Sequence, residues 1–240
     1  LTVPTVTIPD QVANQGTNVT ISIEDPQKCS RYVGVVMENI QVSPSPAWLK
    51  NRLEAIGLRS INNIVDVTNY VMYEWGQPLH AFDANNLKGS SIHVKSFAEP
   101  YDFTTLDGVT RKVPGGSLFI CDDEQAVAIA GIMGGENSEV SDSTTTIVLE
   151  SAYFDPSTIR KCSKQLSLQT DASYRFERGI DSNIQLTAAI RAADLIKEMI
   201  PKALITETID LHPIPKKSLE LSLRVSRVYQ ILGVEIDEEW

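Results

Sequence analysis

Four short stretches carry the residue types that could do chemistry. "EWGQPLHAFD" (Glu74–Asp83) sets His80, one of three histidines in the chain, just past a glycine and a proline. "IVLE" (Ile147–Glu150) places a carboxylate after an apolar run. "AGIMGGENS" (Ala130–Ser138) and "QTDASYRFERGID" (Gln169–Asp181) add a glycine pair and a dense run of polar groups. An imidazole can orient or accept a proton near neutral pH. A carboxylate set in a pocket favours ligands that donate a hydroxyl. Gly134-Gly135 could be a tight turn, or backbone brought close to a ligand. Each has a plain structural alternative: a corner-filling histidine, a solvated strand end, a salt-bridged loop leading into a helix.

Other chemistries are disfavoured. His80, His93 and His212 lack ligand-like spacing and Cys29, Cys121 and Cys162 are far apart, so no metal site is expected. The glycine pair sits in neither a GxGxxG nor a Walker loop, and no serine lies in a nucleophile elbow. The odd cysteine count suits a reducing cytoplasm. No apolar run reaches the roughly 18–20 residues of a membrane helix. With a net charge of −10 the chain is poorly equipped to seize nucleic acid alone, because phosphate affinity comes chiefly from Lys and Arg. The opening lacks both Met and a signal-peptide pattern, and the chain reads as a piece of a longer protein.

The elements that must position these residues follow from periodicity and punctuation. Strands are expected over Asn18–Ile23 and Arg31–Ile40. A helix should start with Ser45 as N-cap and Pro46 in its first turn, burying Trp48, Leu49, Leu53 and Ile56. A second fits Asn63–Trp75, with Ile64, Val67 and Val71 on one stripe and Gly76 as its stop. Short strand-like runs follow, broken at Asp107-Gly108, Gly115-Gly116 and Asp122-Asp123. Asp155-Pro156 caps a helix, and another should turn Leu186, Ile190, Ala193 and Ile196 inward. A strand near "ALITETIDLH" precedes a linker at Pro213–Lys217. The class is α+β or mixed α/β, with a strand-rich, sandwich-like middle bracketed by helices. The division expected is a lead-in over 1–28, a main domain over 29–215 and the start of another unit over 216–240.

Taken together, "RSINNIVDVTNYVMYEWGQPLHAFD", "AIAGIMGGENSEVSD", "IVLESAYFDPSTIR" and "TDASYRFERGID" closely resemble the central editing module of the bacterial phenylalanyl-tRNA synthetase β subunit. The resemblance runs from about Cys29 to Pro213, and the tail looks like the first strand and helix of the next domain. It implies hydrolysis of tyrosine wrongly attached to tRNA(Phe), an aminoacyl-ester hydrolase within a ligase. The rival reading is a non-catalytic module that binds tRNA or scaffolds the α subunit. The family's pocket carries over onto Arg59, Thr68, Asn69, Pro78, His80, Gly134, Glu150, Thr170 and Ala172, with the family's residue type at each; Asn63 stands where many relatives have proline. By that resemblance Glu150 would accept the tyrosine phenol, Gly134 would let backbone reach it, and Thr170 and Ala172 would line the wall beside Pro78. His80, Thr68 and Asn69 would hold the attacking water near the ester, and Arg59 would meet the terminal adenosine or its phosphate. No cofactor is implied for this piece. ATP and magnesium belong to the full synthetase, a heterotetramer with the α subunit, in the cytoplasm and without membrane contact.

Overall fold

The computed structural model describes residues 4–8, 18–215 and 220–234. Two opening strands, β1 (Thr20–Ile23) and β2 (Cys29–Glu38), precede two helices, α1 (Ala47–Ala55) and α2 (Asn63–Trp75). Seven strands then run from β3 (Leu79–Asp83) through β4 (Ser91–Ser96), β5 (Tyr101–Thr104), β6 (Thr110–Val113), β7 (Leu118–Cys121) and β8 (Ala126–Ile129) to β9 (Met133–Gly134). The long β10 (Thr146–Phe154) leads into α3 (Pro156–Leu166), α4 (Asp171–Phe176) and α5 (Gln185–Met199). The described chain closes with β11 (Leu204–Leu211) and α6 (Val225–Leu232).

The strands form an antiparallel sheet ordered β11-β2-β10-β3, a second sheet ordered β1-β4-β7-β8-β9, and the β5–β6 hairpin. β1, inside the expected lead-in, pairs in parallel with β4. Because side chains alternate across a strand, the four-stranded sheet builds two cores. Tyr32, Val36, Phe82, Val148 and Ala152 face the five-stranded sheet, whereas Val33, Val35, Met37, Ala81 and Leu149 face the helices. With both faces covered, β2 is buried nearly throughout and lacks the alternation of an edge strand. The architecture is a mixed α+β sandwich flanked by helices.

Several local readings need amendment. Helix α1 starts at Ala47 with Pro46 as N-cap, and Ser45 makes no cap bond. Its hydroxyl instead donates to the carboxylate of Asp66, which is fully buried and also accepts from Ser60 and the Ile61 amide. A buried carboxylate left short of donors is costly, and it outcompetes a helix end that water can satisfy. Only Leu49 and Leu53 of α1 are buried; Trp48 and Ile56 are exposed, and Trp48 packs edge-on against Tyr70. Leu186 is only partly buried, while Ile190, Ala193 and Ile196 are fully so. Helix α6 buries none of its residues, and Lys216 and Lys217 of the expected linker lie outside the described residues. Among the described residues no helix is long and apolar enough to cross a membrane, no acidic, His or Cys cluster could hold a metal, and the three cysteines are free and buried.

Candidate functional site

The turn that delivers His80 is built from both sides. Asn62 caps α2 by accepting from the amides of Ile64 and Val65, and Gly76 ends the helix in the left-handed conformation, φ 72°. Gln77 is fully buried, and its amide donates to the Ala152 carbonyl on β10 at 3.0 Å. Its side-chain oxygen accepts from Gln185 on α5, also at 3.0 Å. Chain direction after Gly76 is thereby tied to two elements, and β3 enters the sheet with its register fixed.

That register sets the centre of the site. Glu150 on β10 lies directly opposite His80 on β3 and Gly34 on β2. The strand continues to Phe154, so Glu150 is mid-strand and buried, which excludes the solvated strand end that its position after an apolar run left open. Both side chains point toward the five-stranded sheet, where an apolar sandwich would otherwise be continuous. Burial pushes the Glu150 carboxyl up to about 7, opposed by a 2.7 Å hydrogen bond from the Tyr32 hydroxyl to Oε2. Burial also pushes His80 down to about 4, so its ring is neutral at neutral pH. The residue as a whole is only half-buried, but Nε2 is covered and has no hydrogen-bond partner among the described residues.

Gly134 explains how the ring fits. A Cβ there would lie 2.8 Å from His80 Cε1 and 3.0 Å from Nε2, closer than such contacts allow. Gly134 itself is in extended backbone, so its missing side chain makes room for an imidazole and does not serve a turn; the left-handed glycine of this loop is Gly131, φ 66°. On its other side the His80 ring meets Phe82 edge-on, centroids 4.5 Å apart.

Two cavities meet at this ring. A smaller one, about 70 Å³, is lined by Pro78, His80, Gly134, Glu150 and Ala172, with Phe176 as a further wall. A larger one, about 430 Å³, is lined by Thr68, Asn69, His80, Leu106, Asp107 and Glu139 among others. Leu79, His80 and Met133 line both. The smaller space is about half the ~150 Å³ in which an engineered apolar cavity holds benzene. A phenol would need a wall to move, and Met133, unbranched and pliable, separates the two spaces.

The remaining expected residues fall in different places. Thr170 caps α4 through a reciprocal bond pair with Ser173 and donates its hydroxyl to the Ile132 carbonyl at 2.9 Å, so it braces a cavity wall from behind. Thr68 spends its hydroxyl proton on the Val65 carbonyl, 2.8 Å away, leaving oxygen lone pairs toward the larger cavity. Asn69 is half-buried there. Arg59 is exposed on the α1–α2 loop and lines neither cavity. The sequence reading missed Tyr32, Met133 and Phe176. Asp107 also escaped it; Arg111, and then Thr105, hold its carboxyl well below the usual range.

The B3/4 domain family matches residues 28–201. The phenylalanine–tRNA ligase beta subunit of Salinibacter ruber is 47% identical over 98% of the chain and 28% of its own length. Those of Geobacter sulfurreducens and Protochlamydia amoebophila are 50% and 51% identical, over 90% and 91% of the chain. The chain thus spans little more than a quarter of the relatives it matches (27% of each of these two). A crystal structure of an N-terminal fragment of the phenylalanyl-tRNA synthetase β subunit from Pyrococcus horikoshii superposes at a TM-score of 0.48. It has 11% identity over 98% of this chain and 65% of that one, a likeness too distant to carry weight.

Proposed function

Because the chain belongs to the B3/4 domain family, we propose that it is the editing part of a phenylalanine–tRNA ligase beta subunit, clearing tyrosine from mischarged tRNA(Phe). One observation carries this reading: a buried carboxylate, Glu150, and an unpartnered imidazole nitrogen, His80 Nε2, meet at one small cavity. A site shaped for phenylalanine cannot strongly refuse tyrosine, since an added hydroxyl costs on the order of 10² in discrimination. A second site that demands the hydroxyl corrects the error. Phenylalanine in the smaller cavity leaves the second carboxylate oxygen desolvated and unanswered, whereas tyrosine supplies the donor.

The reaction is hydrolysis of an ester that is already activated. Water attacks the tyrosyl carbonyl carbon, the bond to the ribose oxygen breaks, and a proton from water ends on the released hydroxyl. In this reading the larger cavity holds the terminal adenosine and the ester lies at His80, between the two spaces. Nε2 of His80, the Thr68 oxygen and the Asn69 amide orient the water, and orientation alone supplies much of the rate. Arg59, on the exposed loop outside both cavities, meets the phosphate of the 3′ adenosine. Ligation with ATP and magnesium, the α subunit and a cytoplasmic location belong to the whole enzyme by the same inference. A site filled by side chains would favour the rival scaffold reading; the open volume here supports the editing one. The test is deacylation of tRNA(Phe) charged with tyrosine or phenylalanine by the full-length subunit in its assembled enzyme. Faster clearance of tyrosine is expected, and equal loss of both at the rate in buffer would return the scaffold reading.

A further inference from the structure

We infer that Tyr32 is a specificity-determining positioning residue: its phenol holds one oxygen of the Glu150 carboxylate and leaves the other for the ligand. The inference rests on the reading of Glu150 as the tyrosine reader. Tyr32 is wholly buried on β2, opposite Ala152 and two residues before Gly34, so it shares a sheet face with Glu150. Its hydroxyl donates to Oε2 at 2.7 Å, and no described residue donates to Oε1. The chain has built into its own core the contact that a tyrosyl ligand would make with the second oxygen. Beside it, Ile21 of β1 fills the space over Gly34, where a Cβ would clash with its Cδ1. The carboxylate is thereby kept between Tyr32 and His80 instead of turning toward β1.

The same bond bears on charge. Facing Glu150 are Tyr32 and Cys29 from β2 and His80 from β3; the cavity walls from β8, β9 and α4 contribute Ala128, Met133, Gly134, Ala172 and Phe176, none of which titrates. Burial, and then the Glu150 charge, push Tyr32 and Cys29 well above their ordinary ranges, and burial keeps His80 neutral. Glu150 is left as the group that changes charge near neutrality, and the Tyr32 bond favours its ionised form. Removing that hydroxyl both frees the carboxylate to turn and lets it keep its proton to higher pH.

The test is Tyr32→Phe, which deletes one oxygen and conserves the ring, in the full-length subunit within its assembled enzyme. The quantity is the ratio of deacylation rates for Tyr-tRNA(Phe) and Phe-tRNA(Phe), followed from about pH 6 to 8.5 across the Glu150 ionisation. The wild-type ratio should rise with pH. In Y32F it should fall roughly 10-fold at pH 7, the scale of one hydrogen bond to a charged group, with its midpoint displaced upward. In a Glu150→Gln background, Y32F should change the ratio no further. A Y32F enzyme with both rates lowered equally and an unmoved midpoint would overturn the inference, as would effects that add to those of E150Q. If E150Q alters the ratio and Y32F does not, Tyr32 fails and the Glu150 reading stands. If wild type clears neither tRNA, both fall.

Discussion

At the scale of single residues, the site is a neutral imidazole beside a carboxyl whose charge is costly. His80→Ala should slow deacylation of Tyr-tRNA(Phe) by about 10–10²-fold, the range of a positioning or modest general-base role; unchanged turnover at saturating substrate would leave it a corner-filling ring. Glu150 makes a separate prediction for stability. Its folded pKa is raised to about 7 from 4.5 by burial, so the native state binds more protons than the unfolded one across that window. Stability therefore falls as pH rises from about 4.5 to 7 and levels off above. Glu150→Gln should be more stable than wild type at pH 8, by at most on the order of 3 kcal/mol, with the gain vanishing near pH 4.5. Denaturant midpoints at the two pH values measure it, and a gain that is equal at both would contradict the assignment. The residues alone left Glu150 either a solvated strand end or a pocket acceptor, because burial depends on which strands flank β10. Tyr32 was invisible for the same reason: its partner lies 118 residues away in sequence.

At the scale of elements, the helices and strands were largely legible, since periodicity, the stop at Gly76 and the start at Asp155-Pro156 are local signals. What was not legible is how remote side chains fasten them. Asp66 ties the start of α1, the intervening loop and α2 together through Ser45, Ser60 and the Ile61 amide. Asp66→Ala strands those donors in a buried place and should cost about 3 kcal/mol in a denaturant titration; a loss under ~0.5 kcal/mol would mean that the loop re-solvates freely. Helix α4 is the other positioning element. Its Ala172 lines the smaller cavity and packs partly buried against the sheet core. Ala172→Trp should fill the cavity and abolish clearance of tyrosine while the melting transition stays cooperative, since a cavity wall tolerates bulk better than a packed core. Unfolding or precipitation of that variant would place Ala172 in the core instead.

At the scale of the whole molecule, the layering decides what the site can be. Two sheets closed face to face give a largely apolar interior, and Glu150, bonded to Tyr32 and opposite His80 on the same sheet, sits where β3 and β9 bring a glycine against the ring. On the proposed reading, the net charge of −10 requires that a tRNA be gripped mainly by other parts of the enzyme, with only its 3′ end delivered here. The decisive measurement therefore belongs in the full-length, assembled enzyme, where delivery is not limiting. It is the ratio of deacylation rates for Tyr-tRNA(Phe) and Phe-tRNA(Phe), compared between wild type and Glu150→Gln above pH 7.5. Loss of one charge-assisted hydrogen bond, together with relief of the penalty against phenylalanine, predicts a ratio lowered roughly 10–10²-fold. An unaltered ratio would contradict the claim that this carboxylate reads the tyrosine hydroxyl.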